Sequence, residues 1–155
     1  MKTYTTTLRN ADIFYKFTEY QLEKVANLCH QQKLTAGEMI FFEGSKSDEL
    51  YIIADGVVEI LVNPDLVNDN LGKNHDPVKI ATLRRGQSFG EIALVDQGLR
   101  SASAKTVHEN THLLIIPRDK LIAVCEENPD LGYRLMLNLA ADLALKIRSS
   151  GLLIR

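Results

Sequence analysis

The chain has 155 residues and lacks most features that direct a protein to nucleic acid, to a membrane or to an oxidising compartment. Its formal net charge is only −2, so no general electrostatic attraction to nucleic acid or anionic lipid is expected. No run approaches the roughly 18 apolar residues of a membrane-spanning helix, and residues 1–7 lack the apolar core of a signal peptide. The two cysteines, Cys29 and Cys125, are far apart, which favours buried thiols over a disulfide or a metal site. We therefore expect a soluble, cytoplasmic protein.

The hydrophobic pattern changes along the chain. Thr18–Gln21 form a capping-box pattern that begins a helix. From Gly37 to about Val107, short apolar runs alternate with glycines, which is typical of short strands joined by tight turns. Asn63–Pro77 is polar and is predicted to be an exposed loop. Pro117 ends the last predicted strand, and the patterns of two helices follow it.

These patterns predict an α+β fold that is mainly β. The hydrophobic content of 45% is enough for one proper core. We predict a single domain over residues 1–155, with N-terminal helices at about 10–32, a β-roll at about 35–117 and C-terminal helices at about 118–148.

The most informative segment is Phe89–Leu94, which is followed by the tripeptide Arg100–Ala102. It places Glu91 and Arg100 nine residues apart, around a short apolar run that can form one or two helical turns. The free N–H groups of such a turn and a nearby arginine make a phosphate site. A carboxylate there repels phosphate but accepts hydrogen bonds from hydroxyls, such as those of ribose. Together these groups predict a nucleotide site.

The same segment resembles the phosphate-binding cassette of cyclic nucleotide-binding domains. These domains occur in catabolite-activator-type regulators, protein kinase regulatory subunits and cyclic nucleotide-gated channels. Gly37–Gly44 and Asp48–Gly56 resemble the early β-roll of the family, and the resemblance extends from about Phe14 to Lys146. It implies a double-stranded, jelly-roll-like β-helix between N-terminal helices and two C-terminal helices. It also implies a non-catalytic regulatory module that binds cyclic AMP or cyclic GMP and has no metal or other cofactor.

The resemblance assigns roles to individual residues, each with a simpler alternative. Arg100 is expected to grip the phosphate, unless it is a surface arginine in a turn. Glu91 is expected to accept the ribose 2′-hydroxyl, unless it only places a charge at a helix N-terminus. Gly90 allows close approach of the backbone, or is a plain turn glycine. The remaining cassette residues are expected to contact the phosphate or pass close to it: Ile92, Ala93, Ser101 and Ala102.

The base is expected to lie between apolar walls and a cap. Ile60 and Ile80 align with wall positions near the base, although as strand residues they are equally plausible in the core. Lys146 or Arg148 is expected to cap the purine, or else to be a solvated charge at a helix C-terminus. Ser101 carries a hydroxyl that suits guanine, whereas the Arg-Ser-Ala sequence resembles activator-type members. That similarity favours cyclic AMP over cyclic GMP.

The last helix indicates a partner. Its polar residues are spaced by four and form one narrow stripe: Asp130, Arg134, Asn138, Asp142 and Lys146. Nearly every other position of the helix is apolar. A helix on a single domain needs only one apolar stripe of about 100°. The apolar surface beyond this stripe has two explanations. One is burial by the helix's own domain. The other is a homodimer through this helix, which matches the activator branch of the family.

Only residues 149–155 follow this helix, too few for the helix-turn-helix domain of activator-type regulators, so we expect no sequence-specific DNA binding by this chain. The output would then pass through an unidentified downstream protein, or the chain is a fragment of a longer one. The alternative function is a dimeric scaffold of the same fold whose pocket is empty or takes another ligand.

Two motifs suggest enzymes. His108–His112 fits the H-E-x-x-H pattern of zinc proteases, which requires a helix, but it lies between two strand-like runs around a turn residue. Gly86–Gly90 fits the G-x-S-x-G nucleophile pattern, which requires a parallel sheet with long crossover helices. Short strands cannot supply that sheet. We therefore expect neither a catalytic nor a metal site.

Overall fold

The computed structural model describes residues 3–64, 76–96 and 98–150. Within these residues the chain forms four α-helices, eight short strands and two 3-10 turns. The helices are α1 (Thr3–Arg9), α2 (Glu19–Ala26), α3 (Arg118–Glu127) and α4 (Pro129–Ser150). The strands are β1 (His30–Leu34), β2 (Met39–Phe41), β3 (Glu49–Asp55), β4 (Val57–Val62), β5 (Val78–Arg84), β6 (Ser88–Phe89), β7 (Ser103–Thr106) and β8 (Thr111–Pro117). The 3-10 turns are Asp12–Phe14 and Glu91–Leu94, the second called the cassette turn below.

The strands form two four-stranded sheets in which every pairing is antiparallel. Their orders are β1-β8-β3-β6 and β2-β7-β4-β5. Neighbours in these orders are far apart in sequence, as in β1 with β8 and β2 with β7, so the chain winds back and forth between the sheets. This arrangement confirms the predicted β-roll with helices at both ends. Most of the predicted loop Asn63–Pro77 lies outside the described residues.

The N-terminal boundaries differ from the prediction in two places. The predicted helical region extended to about residue 32, but β1 already begins at His30 and pairs with β8 from Ile115 to Thr111. Four of the five residues of β1 are exposed, so this edge strand has almost no apolar pattern. Helix α1 begins at Thr3, before the predicted start at about residue 10. It contains four threonines, which are poor helix formers, and it is stabilised through burial of Leu8 in the core.

Strands β3 and β8 separate two hydrophobic cores. Side chains alternate between the faces of a strand, so Ile52 and Leu114 point to the helices, whereas Ile53 and Leu113 point into the roll. Both faces of these strands are therefore buried, which explains their nearly continuous apolar sequences. The helical core also takes in α3 and α4, so these helices pack against the back of the strands that form the roll.

Helix α4 is fixed to the N-terminal 3-10 turn by one buried amide. The Nδ2 atom of Asn138 donates hydrogen bonds to the carbonyl oxygens of Ile13 (3.0 Å) and Tyr15 (2.8 Å). The polar stripe predicted from the sequence therefore faces the chain's own domain at this point. Large apolar side chains on other sides of the helix are exposed: Tyr133, Leu137, Leu145 and Ile147.

Candidate functional site

A cavity of about 1300 Å³ opens between the β-roll, the cassette turn, the N-terminal 3-10 turn and α4. Ten of the eleven predicted binding residues contribute to its walls: Ile60, Ile80, Gly90, Glu91, Ile92, Ala93, Arg100, Ser101, Ala102 and Lys146. The exception is Arg148, which is exposed in the last turn of α4 and does not line the cavity. Along a helix, residues two apart point in different directions, so Lys146 and Arg148 cannot both face the cavity.

Arg100 is buried directly beside the cassette turn. Its side chain is 7% exposed; its Nη2 atom donates to the carbonyl oxygen of Glu49 at 2.8 Å, and Nη1 to that of Gly90 at 3.4 Å. Its Nε atom is buried without a hydrogen-bond acceptor. A buried guanidinium with donors to spare suits an incoming anion. The predicted alternative, a surface arginine in a turn, is wrong.

Gly90 has two reasons to be glycine. Its φ angle is +73°, in the left-handed region that other residues adopt at a cost. A Cβ atom at this position would lie 2.8 Å from Nη1 of Arg100 and 3.3 Å from the carbonyl oxygen of Glu49. The residue therefore combines a left-handed backbone with a close approach between the turn and the guanidinium.

An aromatic cluster that the sequence analysis missed supports Arg100. The guanidinium carbon lies 4.1 Å from the ring centroid of Phe41, and the rings of Tyr51 and Phe89 stack at 5.0 Å. The face of an aromatic ring attracts a cation, so the cluster fixes the guanidinium plane as well as burying it. The sequence carried one signal for this cluster. Each of the three segments with the family resemblance, Gly37–Gly44, Asp48–Gly56 and Phe89–Leu94, contains one of its aromatic residues.

The cassette turn is connected to the first C-terminal helix. Arg118, at the start of α3, donates from Nε to the carbonyl oxygen of Ala93 at 2.8 Å and from Nη2 to that of Leu94 at 3.4 Å. The N–H of Ala93 donates to the carbonyl oxygen of Gly90 at 3.2 Å. Ala93 was expected to offer this N–H to a phosphate; in the structure it closes the turn. Arg118, which the sequence analysis also missed, therefore ties the cassette turn to α3.

Glu91 and Lys146 form an ion pair across the cavity. Glu91 is 4% exposed, and its Oε2 atom contacts Nζ of Lys146, which also lies 3.0 Å from Oδ2 of Asp142. Burial raises the pKa of Glu91 above its ordinary value, although the lysine acts in the opposite direction. Burial disfavours the charge on Lys146, but Glu91 and Asp142 outweigh it and raise the pKa of that ammonium. Lys146 therefore contacts the predicted sugar-binding acid in this structure.

The two enzyme-like motifs adopt other structures. His108 is exposed in the turn before β8 and His112 lies on that strand, so the H-E-x-x-H segment is not helical. Ser88 is buried in β6, and its hydroxyl donates to Oδ1 of Asp12 at 3.2 Å. In the described ranges, no cluster of three or more His, Cys, Asp or Glu residues is arranged to hold a metal ion. No helix there is long and apolar enough to cross a membrane.

Comparison with known proteins agrees with this geometry. Residues 31–128 match the family model of the cyclic nucleotide-binding domain. The chain belongs to the cyclic nucleotide-binding domain family. This match covers the β-roll and the cassette and ends just after α3, so it includes the buried arginine and the glycine-led turn described above. Members of this family act as regulatory domains, and the relatives include a cyclic AMP receptor protein and a cAMP-dependent protein kinase regulatory subunit.

The individual similarities extend over most of the chain. It is 30% identical over 145 residues to the cyclic AMP receptor protein of Thermus thermophilus, covering 94% of this chain and 61% of the relative. It is 29% identical over 117 residues to a cAMP-dependent protein kinase regulatory subunit of Schizosaccharomyces pombe, covering 76% of this chain and 25% of that protein. The chain thus spans less than two thirds of the length of these relatives.

Solved structures give the same fold. The catabolite activator protein of Thermus thermophilus superimposes with a TM-score of 0.74 at 29% identity, over 92% of this chain and 61% of that one. The regulatory domain of Toxoplasma gondii PKA, solved with cAMP, gives a TM-score of 0.73 at 21% identity, over 91% of this chain and 48% of that one. The second similarity is evidence for the fold alone.

Proposed function

We propose that this chain binds cyclic AMP in the cavity and acts as a non-catalytic sensor. The observation that carries the proposal is the buried Arg100, held against the glycine-led turn with its Nε atom unpartnered. Its hydrogen bonds to the carbonyl oxygens of Glu49 and Gly90 use two of the five guanidinium donors, so others remain for the oxygens of a cyclic phosphate. A buried donor set of this kind is pre-organised for an anion.

The other parts of the nucleotide fit the remaining walls. Glu91 accepts the ribose 2′-hydroxyl, and the base lies towards Ile60 and Ile80 with α4 opposite. A cavity of about 1300 Å³ exceeds what a small ligand requires, so the ligand fills it fully only if α4 moves inward. A cyclic nucleotide has about 22 non-hydrogen atoms; at roughly 0.3 kcal/mol each, the expected affinity is about 10 µM.

Cyclic AMP is proposed over cyclic GMP because of the similarity to a cyclic AMP receptor protein over nearly the whole chain. The test is isothermal titration of the wild type with both nucleotides. We expect tighter binding of cyclic AMP, and at least about tenfold weaker binding by Arg100→Ala, since a charge-assisted contact in a dry site is lost. Arg85→Ala removes an exposed arginine that does not line the cavity and is the matched control.

Arg100 also bonds to the carbonyl oxygens of Glu49 and Gly90, so its removal perturbs packing. Circular dichroism shows whether Arg100→Ala is folded. If it is not, Arg100→Lys replaces it in the test, because lysine keeps the positive charge at this position. A lysine cannot reproduce the planar fork, so it also weakens binding. Wild-type affinity in a folded Arg100→Ala contradicts the proposal. The scaffold alternative predicts that the wild type binds neither nucleotide.

We also propose a homodimer through α4 that transmits the signal. Five exposed residues follow spacings of four and three, as in the seam of a coiled coil: Tyr133, Leu137, Ala140, Ala144 and Ile147. Leu137→Glu places a charge in this seam and is expected to shift sedimentation from dimer to monomer. Tyr20→Glu makes the same kind of change at an exposed position of α2 and is expected to have no effect. A wild type that sediments as a monomer refutes the dimer.

A further inference from the structure

The cassette turn is held at its end by a second arginine, Arg118, which does not line the cavity. Its Nε atom donates to the carbonyl oxygen of Ala93 at 2.8 Å, and Nη2 donates to that of Leu94 at 3.4 Å. These carbonyls belong to the last two residues of the turn, where a helical segment leaves its acceptors without donors of its own. Arg118 therefore orients the peptide groups at the end of the turn from outside the cavity.

The two arginines attach the turn to the same point of the β-roll. Arg100 donates to the carbonyl oxygen of Gly90, just before the turn, and to that of Glu49, the first residue of β3. The backbone N–H of Arg118 donates to the carbonyl oxygen of Asp48, the residue before β3, at 2.9 Å. Two consecutive residues of the roll thus position two guanidinium groups, one at each end of the four-residue turn.

Arg118 is itself firmly placed. It is the first residue of α3, its side chain is only 18% exposed, and its Nη1 atom lies 3.0 Å from Oδ1 of Asp119. Leu121, in the same turn of α3, is fully buried in the helical core. A planar guanidinium on a helix that is fixed in this way can hold both carbonyls in one orientation.

We propose that Arg118 is a positioning residue for the cyclic phosphate, which it does not touch: it holds the cassette turn so that the N–H groups at the start of the turn and Arg100 face the same anion. This inference rests on the proposed function and adds a residue to that site. N–H groups at the start of a helical turn have no acceptor within the turn, so they are available to a ligand. Their direction depends on the peptide planes of the turn, which Arg118 fixes from the other end.

Loss of Arg118 is expected to weaken binding although the ligand loses no direct contact. Without its two hydrogen bonds the turn has other arrangements, and the apparent dissociation constant rises by the inverse of the fraction that is competent to bind. With about one fifth of the molecules competent, Arg118→Ala binds cyclic AMP about fivefold more weakly than the wild type. Lys120→Ala removes an exposed positive charge from the same turn of α3 and is expected to bind like the wild type, which excludes a simple effect of charge.

The deciding experiment is a double-mutant cycle on cyclic AMP affinity, measured by isothermal titration for the wild type, Arg118→Ala, Arg100→Ala and the double variant. If Arg118 acts through the phosphate seat, its loss matters chiefly when Arg100 is present to use that seat. We expect about fivefold weaker binding when Arg118 is removed from the wild type, and about twofold or less when it is removed from Arg100→Ala. A larger loss in the Arg100→Ala background, or wild-type affinity in a folded Arg118→Ala, overturns the inference.

Lysine variants keep this test decisive if an alanine variant does not fold, as judged by circular dichroism. Arg118→Lys and Arg100→Lys then replace the alanine variants in the cycle. Lysine keeps the charge but lacks the planar fork that reaches two carbonyls, so losses of the same pattern are expected.

Hydrogen exchange gives a second readout that does not depend on affinity. The amides of Ala93, Val95 and Asp96 donate within the cassette turn. Without nucleotide they are expected to exchange faster in Arg118→Ala than in the wild type, whereas amides of α2 exchange equally in both proteins. Equal exchange in the cassette turn overturns the inference even if the wild type binds cyclic AMP as proposed. A wild type that binds neither nucleotide overturns the proposed function and this role of Arg118 together.

Discussion

Gly90 offers a sharp test of the cassette geometry, because the structure separates two effects of adding one methyl group. Gly90→Ala forces alanine into a left-handed conformation at φ +73°. Its Cβ would also lie 2.8 Å from Nη1 of Arg100 and 3.3 Å from the carbonyl oxygen of Glu49. The backbone strain costs about 1–2 kcal/mol, and the contact displaces the guanidinium from its position beside the turn.

Gly37→Ala is the matched control. Gly37 has a φ angle of +79°, and a Cβ there would meet no atom within 4 Å. The two variants therefore share the backbone strain and differ in the contact with Arg100. For a chain of this size each kcal/mol lowers Tm by about 2–4 °C, so both variants are expected to melt about 2–8 °C below the wild type.

Only Gly90→Ala is expected to lose ligand affinity. Displacement of Arg100 weakens cyclic AMP binding at least about tenfold, or about 1.4 kcal/mol, whereas Gly37→Ala binds like the wild type. Differential scanning calorimetry measures the stability and isothermal titration measures the affinity. The reasoning is refuted if Gly90→Ala is destabilised and yet retains wild-type affinity, or if the two variants lose affinity equally.

Two further predictions concern α4 and the buried acid. Asn138→Ala leaves the carbonyl oxygens of Ile13 and Tyr15 without this donor and is expected to cost about 1–3 kcal/mol in urea denaturation. Asn110→Ala makes the same substitution at an exposed position and is expected to cost much less. Wild-type stability in Asn138→Ala contradicts this. Burial raises the pKa of Glu91 in the folded protein above the ordinary value of 4.5 that applies in the unfolded chain. The unfolded chain therefore loses this proton first as the pH rises, and the wild type loses stability until the pH exceeds the raised pKa. The stability of Glu91→Gln relative to wild type is therefore expected to increase as the pH rises above 4.5, and a difference that stays constant contradicts the stated direction of the shift.

Several features of this molecule were predictable from local sequence. Glycines with positive φ angles at positions 44, 56 and 90 punctuate the β-roll, because few other residues adopt that backbone conformation. The apolar runs of β3 and β8 were recognisable because both faces of these strands are buried. The capping box at Thr18 and Gln21 is present as predicted, since it depends only on residues three apart.

Other features had no local signal. Strand β1 is polar and becomes a strand through its pairing with β8, about 80 residues away in sequence. The threonine-rich α1 is helical because Leu8 is buried against the rest of the chain. Nothing in the local sequence distinguishes Arg118 from other residues at the start of a helix. Only the folded chain places it against the cassette turn.

By itself, the sequence predicted the type of site: glycine, acid and arginine at fixed short spacings indicate a turn, a hydroxyl acceptor and a hydrogen-bond donor to phosphate. The tertiary structure decided which groups meet there. The aromatic face beneath Arg100, the tie from Arg118 and the contact of Lys146 with Glu91 all join residues from distant parts of the chain. The physical reason is that short-range geometry fixes backbone conformation and local spacing, whereas burial and ion pairing depend on elements that come together only when the chain folds.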